Sequence, residues 1–281
     1  MAGWLHRRPR VRLAALLAAP VGWLVIAYLG ALVLMFINAF WSRDAFTGQV
    51  VRQITFDNFF ELTQAPYPEI TLRTLRMAAA VTIACAVIAF PIAFFMARMI
   101  SQRWRGLLVV AVVMPLWASY LVKAYAWRLI LAEDGVLNWL LGPLGMKGPG
   151  YGEIAVWIVM TYLWLPYMII PVYAGLERIP NSFLEASADL GGRSWMTFRR
   201  VILPLAFPAI VAGSIFTFSL TLGDYIAVQL VSTTIFIGNA IYVNVGAAGD
   251  LPLAAALSLI PLTIILIYLV VARKLGAFEA L

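Results

Sequence analysis

The sequence predicts an all-α integral membrane protein that crosses the bilayer six times. Of its 281 residues, 63% are hydrophobic and 12% are charged, whereas soluble domains are about half apolar and roughly a quarter charged. The apolar residues gather into nearly uncharged blocks, and a helix needs about 20 such residues to cross the hydrocarbon core. No segment shows the alternating pattern of a membrane β-barrel strand. These observations exclude a water-soluble globule.

Six apolar blocks define the predicted helices, and all belong to one predicted domain over residues 1–281. They lie at 13–40, 77–97, 107–131, 154–176, 205–226 and 251–272. The first block is longer than the apolar core of a signal peptide, about 7 to 15 residues, so we expect a retained membrane anchor. Polar residues interrupt the stretch 225–250, which predicts a short re-entrant or surface helix rather than a seventh span. A short amphipathic helix is expected at 56–62.

The positive charges predict how the spans are oriented. The net charge is +7, and the Lys and Arg residues cluster beside the apolar blocks. With six spans, thirteen of these residues fall at ends assigned to the cytoplasm and five at the opposite face. Cytoplasmic loops carry such an excess, so both termini are predicted to be cytoplasmic. Because the charges serve topology and no basic recognition helix stands apart from the spans, nucleic-acid binding is not expected.

The cytoplasmic connection 177–204 is predicted to fold as a helix, a turn and a second helix. Ser182 and Glu185 have the spacing of a capping box at the start of the first helix. Gly191-Gly192 follows, where a left-handed residue most easily ends a helix. Ser194 is then expected to cap a second helix with three apolar residues on one face, namely Trp195, Phe198 and Ile202.

This connection resembles the EAA loop of ABC importer permeases. The motif segments Glu185-Ala186-Ser187, Asp189-Leu190-Gly191 and Val201-Ile202-Leu203-Pro204 stand at the spacing of that loop. Ser187 replaces the second Ala of the motif and Val201 replaces its Ile. We call residues 177–204 the coupling loop, and the resemblance assigns it these ATPase-coupling residues: Glu185, Ala186, Ser187, Asp189, Leu190, Gly191, Gly192 and Pro204.

The resemblance to spermidine/putrescine permeases covers nearly the whole chain. It rests on the segments 54–62, 114–117, 125–141, 222–225 and 237–239. It implies the transmembrane domain of a type I ABC importer, a multi-pass protein surrounded by lipid in a bacterial inner membrane. It also implies three partners: a cytoplasmic ABC ATPase dimer, a second and non-identical permease subunit, and an external solute-binding protein. ATP and Mg would be held by the ATPase, and this chain would bind no cofactor.

Charged and aromatic residues within the spans are the candidates for a solute pathway. Asp224 lies near the outer end of the fifth span beside Tyr225, where a carboxylate and a ring face would favour an ammonium group. The other interpretation of Asp224 is a hydrated helix end. Trp164 and Tyr167 lie at mid-span, away from the membrane edges where such residues are enriched, so they either pack helices or line a passage.

Lys123 lies deep in the third span and leaves the solute class open. It is either paired for structural reasons or part of the pathway, because an intramembrane charge is costly unless it has such a role. A polyamine is the first candidate solute, yet a lysine in the pathway would repel it. The alternative is an opine, an aminophosphonate or another small anionic or zwitterionic solute that uses Lys123 directly.

Two other classes of membrane protein compete with a transport subunit. A membrane enzyme would need a nucleophile with a base, a metal cluster or paired acids, and the sequence contains no such set. Cys85 is the only cysteine and lies in an apolar block, which gives neither a disulfide nor a zinc cluster. An assembly factor would not require the spacing of the coupling loop. The chain also lacks a phosphate-binding GxxxxGK[ST] loop, so ATP hydrolysis is expected in a separate subunit.

Overall fold

The computed structural model describes residues 9–44 and 46–277, and most of them are helical. Arg7 and Arg8, which contribute to the predicted orientation of the N-terminus, lie outside the described residues. The helices are α1 (Pro9–Leu24), α2 (Gly30–Asn38), α3 (Asp57–Glu61), α4 (Tyr67–Phe94), α5 (Gln102–Trp117), α6 (Tyr120–Leu131), α7 (Val136–Leu141), α8 (Glu153–Glu177), α9 (Asn181–Asp189), α10 (Ser194–Thr197), α11 (Leu203–Gly223), α12 (Ile226–Val231), α13 (Ile237–Val245) and α14 (Leu251–Lys274).

Short irregular elements connect or extend these helices. Three π-helical segments continue α1, α4 and α10: Val25–Leu29, Phe95–Met99 and Phe198–Ile202. A 3₁₀ turn at Gly142–Leu144 follows α7. The described strands are β1 (Ser42–Arg43) and β2 (Val50–Val51), which pair antiparallel as a two-residue ribbon. The prediction of an all-α protein therefore holds apart from this ribbon.

Within the described residues, five continuous helices are long and apolar enough to cross a membrane. They are Leu16–Asn38, Tyr67–Met99, Glu153–Glu177, Ser194–Gly223 and Leu251–Lys274. Helices α5 and α6 pass the same test only as a pair, which is bent by 87°. The count of six holds when this pair is taken as one span.

The expectation of one continuous helix over 107–131 is wrong in shape. The helix stops at Trp117 and restarts at Tyr120, and the two residues between them adopt extended backbone, with ψ of 141° at Ala118 and 132° at Ser119. Pro115 lies one turn before the break and removes a backbone donor from the helix. The apolar composition continues through this point, so hydropathy alone does not report the break.

Two predicted spans begin earlier in the structure than their apolar blocks do. The second starts at Tyr67 rather than at residue 77, and the fifth starts at Ser194 rather than at residue 205. The helical residues before the predicted start of the second span include charged ones such as Arg73, which forms an ion pair of 3.4 Å with Glu153. Backbone hydrogen bonds continue a helix past its apolar section, because they do not depend on side-chain hydropathy.

The described residues form two compact units. The first contains the described residues up to Gln64 together with Val243–Leu259. In it, the buried alanines Ala39, Ala255 and Ala256 pack with aromatic rings such as Phe40 and Phe59. Helix α3 confirms the short helix expected at 56–62. Its buried Asn58 donates hydrogen bonds to the carbonyl groups of Ala39 and Trp41, at 2.8 and 2.7 Å.

The second unit contains Ala65–Tyr242 and the described residues from Ile260 onward. Its core is formed by α4, α8 and α11, which pack against one another. Small residues allow α8 and α11 to approach closely, as is common between membrane helices. A Cβ atom at Gly213 would lie 2.7 Å from Sδ of Met168, and one at Gly175 would overlap the methyl group of Ala209. This packing fixes the positions of the loops at both ends of the three helices.

The stretch 225–250 contains two short helices, α12 and α13. They are separated by the turn 232–236, and neither is long enough to cross a membrane. The structure therefore agrees with the prediction that this stretch is no seventh span. Its depth in the membrane stays a prediction.

Candidate functional site

A cavity of about 350 Å³ opens where three segments of the second unit meet. The start of α6 contributes Tyr120, the middle of α8 contributes Trp164, and the turn after α11 contributes Asp224 and Tyr225. The structure thus brings together three of the residues that the sequence singled out for a solute pathway. We call this space the Asp224 cavity.

The carboxylate of Asp224 is held by hydrogen bonds from two segments. The hydroxyl of Tyr120 donates to Oδ2 at 2.5 Å, and the backbone N–H of Ala227 donates to Oδ1 at 3.1 Å. The same N–H of Ala227 lies 3.2 Å from the hydroxyl oxygen of Tyr120. A carboxylate that leaves bulk water needs such partners, because an unpaired buried charge is costly. The carboxylate of Asp224 is therefore held by hydrogen bonds within the chain and is not a freely hydrated helix end.

Aromatic rings line and extend the Asp224 cavity. The rings of Tyr120 and Trp164 stack with centroids 6.0 Å apart and an interplanar angle of 15°. Tyr167 lies beside Trp164 at 6.0 Å, and it continues the row to Phe216 of α11 at 6.4 Å. Ring faces attract cations through their quadrupole. A carboxylate beside several ring faces is thus an arrangement suited to an ammonium group.

The backbone of the Asp224 turn rests against the start of α13. Asn239 donates its side-chain N–H to the carbonyl of Tyr225 at 3.0 Å, and the rings of Tyr225 and Tyr242 stack at 4.7 Å. A Cβ atom at Gly238 would lie 3.0 Å from the carbonyl oxygen of Gly223. The close approach of the two backbones explains why a glycine stands there.

Lys123 makes a structural contact across the break between α5 and α6. Its ammonium donates to the carbonyl oxygen of Pro115 at 3.0 Å. The last carbonyl groups of a helix have no partner within the helix, and a lysine amine is a common substitute. Of the two roles that the sequence left open, the geometry provides the structural one, with a carbonyl as the partner.

Sequence reasoning missed Tyr120, although it provides the shortest hydrogen bond to Asp224. The two residues are separated by 104 positions in the chain. The available signal was a tyrosine that directly follows Ser119 inside an apolar block, a few residues after Pro115. A polar group of that kind within a span needs a partner.

The coupling loop consists of α9, a glycine turn, α10 and the π-helical segment that leads into α11. Gly191 has a φ of +75°, which confirms the predicted left-handed turn. A Cβ atom at Gly192 would lie 2.5 Å from the carbonyl oxygen of Ser187, so this position also excludes a side chain. The hydroxyls of Ser187 and Thr197 lie 2.8 Å apart and join the two arms. Pro204 stands in the first turn of α11.

The coupling loop leaves several of its motif residues and several apolar side chains exposed. Glu185, Ala186 and Asp189 are exposed, and no residue of α9 is buried. The exposed fraction is 89% for Leu190 and 69% for Trp195. The face predicted from spacing is partly confirmed, because the Trp195 and Phe198 rings stack at 5.4 Å and Ile202 is buried.

The predicted serine caps of the coupling loop are wrong. The two helices start at Asn181 and Ser194, and neither has a side-chain hydrogen bond at its N-cap. The residues in the extended N-cap conformation are Pro180, with ψ of 142°, and Arg193, with ψ of 154°. A serine caps a helix only from that position, and Ser182 and Ser194 are already helical.

Among the described residues, no group of three or more His, Cys, Asp or Glu side chains could hold a metal ion. Cys85 is buried within the helix packing of the second unit, and its Sγ lies 3.5 Å from the carbonyl oxygen of Thr161.

Known proteins are similar to this chain in sequence and in fold. The family model described as binding-protein-dependent transport system inner membrane component matches residues 89–276. The inner membrane ABC transporter permease protein YdcU of Escherichia coli (strain K12) is 46% identical to this chain. The alignment is 297 residues long, gaps included, and it covers 100% of this chain and 95% of YdcU. The spermidine/putrescine transport system permease protein PotB of the same strain is 33% identical over 253 residues, which cover 88% of this chain and 90% of PotB.

A solved structure supports the fold independently of close sequence similarity. The bacterial alginate ABC transporter in complex with an alginate pentasaccharide-bound periplasmic protein contains a chain that superposes with a TM-score of 0.75 at 16% identity. The match covers 99% of this chain and 98% of the other. It confirms the fold class predicted from the sequence, the transmembrane domain of a type I ABC importer. The chain therefore belongs to the binding-protein-dependent transport system inner membrane components, and it is a permease subunit of an ABC transporter rather than an enzyme.

Proposed function

We propose that this permease imports a small amine-bearing solute, with a polyamine such as putrescine or spermidine as the first candidate. The observation that carries the proposal is the Asp224 cavity, where a carboxylate lies among the rings of Tyr120, Trp164 and Tyr225. The similarity to PotB, which is named for spermidine and putrescine, supports the same solute class. An anionic solute that uses Lys123 is less favoured, because the lysine ammonium donates to Pro115.

The chemistry of the Asp224 cavity suits brief binding of a cation. An ammonium group that leaves water loses its hydration, and a carboxylate with nearby ring faces offsets part of that loss. The carboxylate already accepts hydrogen bonds from Tyr120 and Ala227. It would therefore hold an incoming ammonium with only part of its hydrogen-bonding capacity. Such weak binding at several contacts allows a transported solute to leave again.

The partners of the permease follow from the coupling loop and from the family. We propose that the exposed side chains Phe183, Leu190 and Trp195 dock into a cytoplasmic ABC ATPase dimer, which holds ATP and Mg while this chain binds no cofactor. Exposed apolar residues on a polar segment are typical of a protein interaction site. A second, non-identical permease subunit would complete the translocation path, and an external solute-binding protein would deliver the solute. Both termini would face the cytoplasm.

The test of this function is the uptake of labelled putrescine into proteoliposomes that contain the assembled transporter and its binding protein. Asp224→Asn keeps the size of the side chain and removes its charge, so uptake is expected to fall about tenfold, the effect of one charge-assisted hydrogen bond. The matched control is Asp250→Asn. Asp250 accepts the N–H of Leu253 at the start of α14, and asparagine caps a helix equally well.

The result for the two variants decides between solute classes. A fall in putrescine uptake for Asp224→Asn, with Asp250→Asn at the wild-type rate, supports a cationic solute received by the cavity. Equal uptake by all three proteins would contradict it. Failure of the wild-type transporter to take up putrescine or spermidine would remove polyamines as the solute.

One observation favours a second candidate, a zwitterionic amine. The indole N–H of Trp164 is buried and has no hydrogen-bond partner among the described residues. A fully protonated polyamine has no acceptor for this donor, whereas the carboxylate of an ω-amino acid is one. Uptake of a labelled ω-amino acid, with little uptake of putrescine, would favour this candidate. Its import would still depend on Asp224 through the amino group.

A further inference from the structure

Arg98 joins the end of α4 to the start of the coupling loop. It lies in the π-helical segment that continues α4, and its guanidinium makes three hydrogen bonds. Nη2 donates to the carbonyl oxygens of Leu176 and Ile179, at 2.7 and 2.6 Å, and Nη1 donates to Oδ1 of Asn181 at 2.9 Å. These acceptors are the end of α8, the linker and the first residue of α9.

The geometry of this contact requires an arginine. The carbonyl groups at the end of a helix have no partner within it, and Arg98 satisfies one of them in α8. A planar guanidinium presents its donors as a rigid fork, so one side chain holds three acceptors in fixed relation. A lysine ammonium in the same place is a single point charge on a flexible stem. Movement of Asn181 relative to α8 would therefore pull on α4 through Arg98.

A second contact connects α4 to the other arm of the coupling loop. The rings of Phe90 in α4 and Phe198 in the π-helical segment meet edge to face, with centroids 5.6 Å apart. Beside Arg98, Arg105 of α5 forms an ion pair of 3.4 Å with Glu177, but both side chains are partly exposed, and such pairs contribute little. The strong links from the coupling loop thus converge on α4.

The opposite end of α4 holds the segment that supports the Asp224 cavity. The hydroxyl oxygen of Thr74 accepts the N–H of Ile237 at 3.0 Å, and Arg73 donates to the carbonyl of Ile235 at 3.1 Å. Asn239 in the same segment donates to the carbonyl of Tyr225. At about 1.5 Å per residue, Thr74 and Arg98 are about 36 Å apart along the helix.

We propose that Arg98 is a positioning residue that passes movement of the coupling loop to α4, and through α4 to the Asp224 cavity. The inference rests on the proposed docking of the coupling loop on an ATPase. A packed helix moves as a rigid element, so a shift at Arg98 displaces Thr74 and the start of α13 together. The Asp224 cavity then changes shape when the ATPase closes, without any contact between solute and ATPase.

The experiment measures the cavity directly and needs no transported solute. Ser219 lines the Asp224 cavity, and Ser219→Cys in a Cys85→Ala background introduces one thiol there. The rate of maleimide labelling of this thiol is compared in the assembled transporter without nucleotide and with ATP and vanadate. We expect the rate to change with nucleotide when Arg98 is present. We expect most of this change to be lost with Arg98→Lys, because a single ammonium group cannot hold all three acceptors.

Two further variants separate a positioning role from a general loss of stability. Asn181→Ala removes one of the three acceptors of Arg98 and should reduce the nucleotide response less than Arg98→Lys does. Arg103→Ala is the matched control, because Arg103 lies nearby in the first turn of α5, with its guanidinium over the ring of Trp104. It should leave the response unchanged. If Arg98→Lys does not assemble, the response of Asn181→Ala decides.

A separate measurement distinguishes failure of this inference from failure of the proposed docking. A thiol at Leu190→Cys should cross-link to the ATPase subunit when the transporter is assembled. Without a cross-link, the docking and the inference that rests on it are both overturned. With a cross-link, an unchanged nucleotide response in Arg98→Lys, or the absence of any response when Arg98 is present, overturns only the role of Arg98.

Discussion

The Asp224 cavity and the coupling loop stand at the two ends of α11, and they are built in opposite ways. In the cavity, Tyr120 and Ala227 of the same chain donate hydrogen bonds to the carboxylate of Asp224. The coupling loop makes mostly local hydrogen bonds and leaves Leu190 89% exposed. The carboxylate of the cavity thus has its partners within the chain, whereas Leu190 and Trp195 of the coupling loop are largely uncovered.

This difference is consistent with the roles proposed for the two regions. A small solute binds in a preformed space with few polar contacts, so its site has to be finished before the solute arrives. A protein partner covers a surface with its own side chains, so the surface is left open until docking. We therefore expect the two regions to respond differently to substitution.

The largest expected effect concerns the side of the membrane that each region faces. We predict that the coupling loop faces the cytoplasm and that the Asp224 cavity lies toward the outside. In a Cys85→Ala background, a thiol at the exposed Ser182 should react with an impermeant maleimide only from the cytoplasmic side. A thiol at the exposed Thr233, in the connection between α12 and α13, should react only from outside. The expected effect is all or none, because six spans put the two connections on opposite faces. Reaction of both thiols from one side would reject the predicted orientation.

The proposed docking of the exposed coupling loop on a partner is tested by Gly191→Trp. We expect this variant to abolish solute uptake and binding-protein-stimulated ATP hydrolysis. The indole would stand where the loop meets its partner, and the φ of +75° adds backbone strain. Gly191→Ala is the control, since it introduces only the strain, about 1 to 2 kcal/mol, without the bulk. Normal uptake by an assembled Gly191→Trp transporter would show that the loop has no partner at this position.

The hydrogen bond from Tyr120 to Asp224 is tested by Tyr120→Phe, which has the smallest expected effect. The substitution keeps the ring that stacks on Trp164 and removes the hydroxyl that donates to Asp224. Uptake should fall about threefold, less than for Asp224→Asn, because the carboxylate keeps its charge and still accepts the N–H of Ala227. Tyr167→Phe in the same aromatic row is the control and should leave uptake unchanged. A loss as large as that of Asp224→Asn would mean that the phenol itself binds the solute.

The sequence predicted features that depend on neighbouring residues. Apolar blocks located the spans, and the order of helix, glycine turn and helix in the coupling loop followed from the spacing around Gly191. The sequence also indicated Asp224, Tyr225 and Trp164 as pathway candidates, because polar and aromatic groups are conspicuous in an apolar span. Their role in the transport of a particular solute stays a prediction.

By itself, then, the sequence determined the membrane class, the helix order and the left-handed turn at Gly191. Hydropathy and backbone preference are properties of short segments, so each is readable along the chain. Only the tertiary structure decided that Tyr120 meets Asp224 across 104 positions, that the third span bends at Ala118, and that Arg98 holds Asn181. Such pairings arise when packed helices bring distant polar groups within hydrogen-bond distance, and no local pattern encodes which groups will meet.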